Sequence, residues 1–244
     1  MDVAFSHDIA LIVNALGAPP PDMIERAHAA GVKVGALAGK ASHAVRHVAA
    51  GVDLIIAQGG EAGGHRSNFT VPDDAPVPLV GTMALVRQVV KAVDVPVVAT
   101  GGIMDGAGLA AALALGADGI QLGTALLVAH EAGVPPGWRE RIRGARDDET
   151  VVTRSLSGRP ARGLPNTLID DMEQAGPMGW PQQNAATGPV RRAAATADEP
   201  ELMSLWAGQA AALAGPDRPA AEIIDQVVAQ ARADMARLGR MATG

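Results

Sequence analysis

A histidine closing a glycine-rich loop is the arrangement in this chain with the most chemical promise. Gln58-Gly59-Gly60-Glu61-Ala62-Gly63-Gly64-His65 follows directly on the apolar run 54–57. Glycine removes the Cβ, so backbone here can take positive φ and a flat ligand can lie against it. His65 is the one side chain of the loop that titrates near neutral pH. Glu61 is expected to brace the loop through backbone N–H groups rather than to act as an acid. Two further glycine sites follow apolar runs: Thr100-Gly101-Gly102-Ile103 after residues 95–99, and Gln121-Leu122-Gly123-Thr124 at the end of the next run. Backbone N–H groups freed by glycine at the start of a helix bind phosphate through hydrogen bonds and the helix dipole. Such turns on successive βα units correspond to the phosphate site of (β/α)8 barrels, built by the loops after strands seven and eight.

A competing motif is Gly106-Ala107-Gly108-Leu109-Ala110-Ala111, which has the spacing of a dinucleotide fingerprint. That fingerprint also needs an acidic residue ending the next strand, on the ribose hydroxyls. Here the strand ends in Gln121-Leu122-Gly123-Thr124, and Asp118 stands at its beginning. Asp105 would also repel a pyrophosphate, and makes better sense as an N-cap. The dinucleotide reading is therefore set aside. His28, His43 and His47 fall within predicted helices, on faces expected to be solvated. His43 and His47 are spaced i, i+4, but no third ligand or HExxH context accompanies them, and no metal is expected. His130 follows the eighth-strand helix, from where it could approach the barrel mouth.

The elements that must position these residues repeat. Apolar runs at 9–13, 32–37, 54–57, 95–99 and 119–122 read as strands, and 22–30, 41–50, 79–93 and 105–115 as helices. Gly31, Gly51 and Gly116 stop three of the helices. Short apolar runs without alternation indicate strands buried on both faces, and their alternation with helices makes a parallel α/β sheet. From about residue 135 the character changes. Residues 150–166 are polar and basic, 176–200 loop-like, and two helices are expected to close the chain. In the last, Ile223, Ile224, Val227, Val228, Ala231, Met235 and Leu238 form one apolar stripe. That stripe is expected to cap the barrel or to pack on a partner subunit, as in a homo-oligomer.

Composition narrows the function classes. The chain has 244 residues, 48% hydrophobic and 19% charged, with a net charge of -6. That is long enough for a substantial core, and its mild acidity gives no reason to bind nucleic acid or an anionic membrane. The absence of cysteine excludes disulfides and thiolate chemistry, and fits a cytoplasmic location. No basic region precedes an apolar one at the start, and no apolar run approaches the roughly 20 residues that span a bilayer.

The residues also resemble a family. Residues 57–65 just quoted, then Pro96-Val97-Val98-Ala99-Thr100-Gly101-Gly102-Ile103, then Asp118-Gly119-Ile120-Gln121-Leu122-Gly123-Thr124, look like the nitronate monooxygenase (2-nitropropane dioxygenase) family. The FMN-dependent enoyl-ACP reductases share these signatures. Ser157-Gly158-Arg159-Pro160-Ala161-Arg162-Gly163 with Asn166, and Trp206-Ala207-Gly208-Gln209, resemble the C-terminal part of the same proteins.

The resemblance implies an FMN-binding TIM barrel. Carried over by position, Gln58 and Gly63 contact the flavin, Gly102 and Gly123-Thr124 its phosphate, and Gln121-Leu122 the neighbouring strand end. His65 becomes the catalytic group over the isoalloxazine, a base or an orienting group for an anionic substrate. The flavin takes electrons and passes them to oxygen. Family members begin with three further βα units, whereas five strands are readable here and an eight-stranded barrel needs eight to close. The expectation is a partial barrel over residues 1–134, lacking about the first three βα units, and a helical extension over 135–244. Three functions follow: oxidation of nitronates, reduction of an enoyl thioester with NAD(P)H, or a catalytically incomplete fragment. The substrate-facing residues belong to absent strands or to the variable loop 66–80.

Overall fold

The computed structural model describes residues 1–69 and 76–242, so residues 70–75 of the variable loop lie outside it. A short helix α1 (Asp2–Phe5) precedes β1 (Leu11–Asn14), α2 (Pro21–Ala29), β2 (Lys33–Ala38), α3 (Ala41–Ala49) and β3 (Leu54–Gln58). A two-residue strand β4 (Gly64–His65) follows, then α4 (Thr82–Val90), β5 (Val97–Thr100), α5 (Gly106–Ala114) and β6 (Gly119–Gln121). The remainder comprises α6 (Thr124–Leu127), α7 (Pro136–Arg143), β7 (Val151–Thr153), β8 (Ala161–Gly163), α8 (Thr167–Ala175), α9 (Gln182–Ala197) and α10 (Ala220–Ala242).

The five strands expected from the apolar runs form one open parallel sheet in the order β1-β2-β3-β5-β6. Its core is made of small and branched side chains: Val34, Ala36, Ala38, Ile55, Ala57 and Ala99 from the strands, and Ala27, Ala44, Leu85 and Val89 from the helices. Alanines on facing surfaces let the helices lie close to the sheet. The helix stops at Gly31, Gly51 and Gly116 take φ of +72°, +97° and +96°, the left-handed region that only glycine enters at low cost. Two aspartates tie neighbouring strand starts together. Asp53 Oδ2 accepts from Val34 N–H at 2.8 Å, and Asp118 Oδ2 from Val97 N–H at 2.8 Å.

A second, antiparallel sheet has the order β4-β8-β7 and joins the glycine loop to the later part of the chain. Its β7 and β8 lie in the segment read from sequence only as polar and basic. Three other expectations are corrected. Residues 176–200 are not loop-like, because they hold the 16-residue helix α9 with Gly188 and Pro189 inside it. Tertiary bonds offset those helix breakers: Gln183 Nε2 donates to Ser155 O, and Thr187 Oγ1 contacts Leu156 O. The chain closes with one 23-residue helix, α10, preceded by short 3-10 turns rather than by a second long helix. His47 is fully buried rather than solvated, with Nε2–H donating to Leu37 O at 3.1 Å and its ring stacked on Phe69.

Helix α10 packs on α5 through Val227 and Ala231, while Ile224, Met235 and Leu238 of the same stripe are exposed. This contact explains the glycine of the set-aside fingerprint. A Cβ on Gly106 would come within 2.3 Å of Ala231 N. Asp105 is the N-cap of α5, accepting from Gly108 N–H at 3.0 Å. Among the described residues no helix is long and apolar enough to cross a membrane.

Candidate active site

The carboxyl ends of the parallel strands open into a cavity of about 410 Å³. In α/β sheets this is the edge where loops with freed backbone groups converge. Gln58, Gly63, His65, Gly102, Gln121, Gly123 and Thr124 all line it, together with Gly101, Trp206 and Gly208. Leu122 does not line it; its side chain packs against the main core. His130 is exposed outside it, and His28 lies 2.8 Å from Asp53 at the far end of the sheet.

Gln58, at the end of β3, is buried and clamps the returning loop. Its Nε2 donates to His65 O at 3.0 Å, and its Oε1 accepts from Ser67 N–H at 2.8 Å. Two buried guanidiniums hold the glycine loop from beneath. Arg66 donates to the carbonyls of Gln58 and Ala62, and Arg162 Nε donates to Gly60 O at 3.0 Å. Burial, then the charge of Arg162, lowers Arg66 to about 10. Glycine-rich backbone offers carbonyls without side chains in the way, which is why arginines can reach it. Composition offered no hint of these two arginines. Their signal was position, one immediately after His65 and one inside the Ser157–Gly163 segment.

Glu61 does brace the loop. Its carboxylate accepts from Thr82 N–H at 2.9 and 3.0 Å and lies 2.8 Å from Thr82 Oγ1, tying the loop to the first turn of α4. On the other flank the loop meets residues 206–208. A Cβ on Gly63 would lie 2.6 Å from both Ala207 C and Gly208 N, so what requires glycine at 63 is the backbone it touches. Gly208 N–H donates to Thr124 Oγ1 at 2.8 Å, and Gln209 N–H to Glu61 O at 2.8 Å. Gly123 differs. A Cβ there would meet nothing within 4 Å, and its φ of -119° is open to any residue, so it faces free space. Among the described residues the N–H groups of Gly102, Gly123 and Thr124 make no hydrogen bond.

His65 sits on β4 with Nε2 2.7 Å from Ser157 Oγ, a buried hydroxyl 92 residues away in sequence. Its ring centroid is 5.5 Å from that of Trp206, tilted by 55°. Burial, then the nearby charges of Arg159 and Arg191, holds its pKa below the ordinary histidine value, so the imidazole is neutral at pH 7. With Nε2 engaged by Ser157, Nδ1 is the nitrogen left for a substrate. A neutral imidazole fixed by a hydroxyl, beside a glycine-walled cavity with free N–H donors, suits proton transfer next to a bound anion.

Comparison with known proteins bears on the family and the fold. The family model described as nitronate monooxygenase matches residues 1–230. A Mycobacterium tuberculosis protein described as a monooxygenase is 47% identical over 219 residues, covering 86% of this chain and 56% of that protein. The crystal structure of a nitroalkane oxidase from Streptomyces ansochromogenes superposes with a TM-score of 0.91 at 35% identity, covering 97% of this chain and 68% of that one. FabK from Thermotoga maritima gives a TM-score of 0.84 at 31% identity, over 98% of this chain and 73% of that one. The chain thus spans a little over half the length of the mycobacterial relative. With the family model matching residues 1–230, the chain belongs to the nitronate monooxygenase family.

Proposed function

We propose that this chain carries FMN-dependent oxidation of alkyl nitronates, with His65 as catalytic base or substrate-orienting group. The observation behind this reading is the neutral imidazole of His65, held by Ser157 at the wall of the glycine-lined cavity. The residues present fit the flavin. Gly123 leaves open the space a Cβ would fill, and the free N–H groups of Gly102, Gly123 and Thr124 suit a phosphate. FMN, when bound, supplies the electron acceptor and the reaction with oxygen.

The chain's own residues supply the rest. With a neutral nitroalkane, His65 Nδ1 takes the proton from the α-carbon, the C–H bond breaks, and the electron pair moves onto the nitro oxygens. Arg159 and Arg191, which already bias His65 toward its neutral form, act on that negative charge only at a distance, since neither lines the cavity. With a nitronate as substrate no proton need leave carbon, and His65 then orients the anion by hydrogen bonding. Gln58 and the Arg66 and Arg162 guanidiniums keep the His65 backbone in place. Burial of the ring and the cover of Trp206 limit water around Nδ1.

A second reading is reduction of an enoyl thioester with NAD(P)H, favoured by the likeness to FabK. The visible spectrum of the purified protein, followed by anaerobic mixing with an alkyl nitronate or with NAD(P)H, separates the two. Bleaching of a flavin band by the nitronate supports the first reading. Bleaching by NAD(P)H alone supports the second, and absence of any flavin band supports an incomplete site. His65→Ala is expected to retain flavin and to lose turnover by about 100- to 10,000-fold on a neutral nitroalkane. Equal loss on the nitronate assigns the orienting role. Parental activity on both substrates would refute any role for His65.

A further inference from the structure

Another cavity, of about 280 Å³, is lined by Trp138, Trp206, Arg191, Arg192 and Ser204, and shares Trp206 with the glycine-lined one. We propose that this cavity is a binding site for a small planar aromatic carboxylate, distinct from the glycine-lined site. The argument does not depend on the reaction proposed above.

The wall is made of donors and flat surfaces. No acidic side chain lines it, in a chain whose overall charge is -6. Arg191 is held rigidly: Nε donates to Thr187 Oγ1 at 3.0 Å, Nη1 to Ser204 Oγ at 3.1 Å, and Nη2 to Asn184 Oδ1 at 2.8 Å. Every one of those partners is neutral, so the geometry of the guanidinium is fixed while its charge stays uncompensated. Arg192, the next residue of α9, makes no side-chain hydrogen bond or ion pair among the described residues, and its charge opposes that of Arg191. Gly188 leaves room for it, since a Cβ there would lie 3.2 Å from Arg192 Nη1. Arg192 keeps its planar fork free for the two-pronged grip of a carboxylate, and Arg191, its N–H groups mostly taken by neutral partners, adds an uncompensated positive charge beside it.

The third observation is independent of charge. Trp138 and Trp206 line the cavity beside the guanidiniums, and indole rings with a guanidinium plane favour an aromatic body over a compact anion such as phosphate. The volume, just under the usual range for drug-sized ligands, favours a single ring over a dinucleotide.

The site touches the first one through a single side chain. Trp206 lines both cavities, so its fluorescence reports occupancy of either. The experiment is therefore a fluorescence titration with sodium benzoate, repeated with benzamide, its neutral counterpart, and with inorganic phosphate. Each is run on the parent chain and on Arg192→Gln and Trp138→Phe, residues that line only the outer cavity. The expected result is saturable binding of benzoate, weaker by about tenfold or more for benzamide and phosphate, as loss of a charged hydrogen bond implies. Arg192→Gln should weaken benzoate by a similar factor while melting like the parent, whereas Trp138→Phe, which keeps an aromatic ring, should weaken it less. Arg192 is exposed and its side chain makes no hydrogen bond or ion pair among the described residues, so its substitution tests binding even if Trp138→Phe disturbs packing. Absence of saturable binding, equal affinity for benzamide or phosphate, or unchanged benzoate affinity in Arg192→Gln would each overturn the proposal.

Discussion

Replacing Gly63 by alanine tests whether the loop and the segment 206–208 are locked together. The new Cβ would stand 2.6 Å from Ala207 C and Gly208 N, and 3.0 Å from Ala207 Cα. All three are backbone atoms, so no flexible side-chain end can swing aside. Restoring ordinary contact at about 3.4 Å requires a withdrawal of about 0.8 Å (3.4 less 2.6). Two bonds cross the same seam, Gly208 N–H to Thr124 Oγ1 and Gln209 N–H to Glu61 O, both 2.8 Å long. Stretched by that amount they reach about 3.6 Å and cease to be hydrogen bonds. Overpacking costs about 1–3 kcal/mol and each lost bond about 1 kcal/mol, together about 3–5 kcal/mol. For a chain of this length each kcal/mol moves the melting temperature by roughly 2–4 °C, so Gly63→Ala should melt on the order of 10 °C lower. Its neighbour is the control. Gly64 has φ of +73° but nothing within 4 Å of a Cβ, so Gly64→Ala bears only the left-handed penalty of about 1–2 kcal/mol. Thermal unfolding followed by circular dichroism compares the two. If Gly63→Ala melts with the parent, or Gly64→Ala costs more, the seam is not packed as described.

Gly123→Asp should lose FMN and leave the melting temperature of the flavin-free protein unchanged, because the side chain enters open space at the anion-binding wall; a full complement of FMN in the purified variant would place the phosphate elsewhere. Burial holds His43, His47 and His65 below the ordinary histidine value of about 6.5, so the unfolded chain binds more protons below that pH. Stability should therefore fall as pH drops from 7 toward 5, and a melting temperature that rises on acidification would contradict the sign. At the open edge of the sheet, Leu11 and Val13 of β1 are 40% and 41% exposed, which invites edge-to-edge pairing. Val13→Lys should shift concentration-dependent size-exclusion profiles toward the monomer; a parent chain that elutes as a monomer at every concentration would dismiss this.

Much of the architecture could be read without coordinates, because it rests on local rules. Five short apolar runs between glycine-stopped helices alternate as strands and amphipathic helices, and they occur where expected, within two residues for the strands and three for the helices. At the two sheet edges, however, β1 and β6 are not buried on both faces. The glycine loop, the two glycine turns and Asp105 as a cap were legible for the same reason. Glycine and capping residues act on their own backbone. Where the chain was misread, a distant partner had overruled a local signal. Gly188 and Pro189 argue for a loop, yet α9 forms because Gln183 and Thr187 are held by the carbonyls of residues 155 and 156. His47 sits on a predicted solvated face but is covered by Phe69.

The candidate site divides along the same line. The sequence by itself named His65, Gln58 and the glycines, since their types and their place after strand ends carry the chemistry. What it left open was everything that gives His65 a setting: Ser157 on its Nε2, Trp206 beside its ring, and the Arg66 and Arg162 guanidiniums beneath its loop. Those contacts join residues about 90 to 140 positions apart, apart from Arg66, and no spacing rule reaches that far. Only the tertiary structure also showed that Gly63 is there for Ala207 and Gly208, and that Gly123 faces open space. A missing Cβ looks identical in sequence whether a ligand, a neighbouring backbone or nothing at all lies next to it.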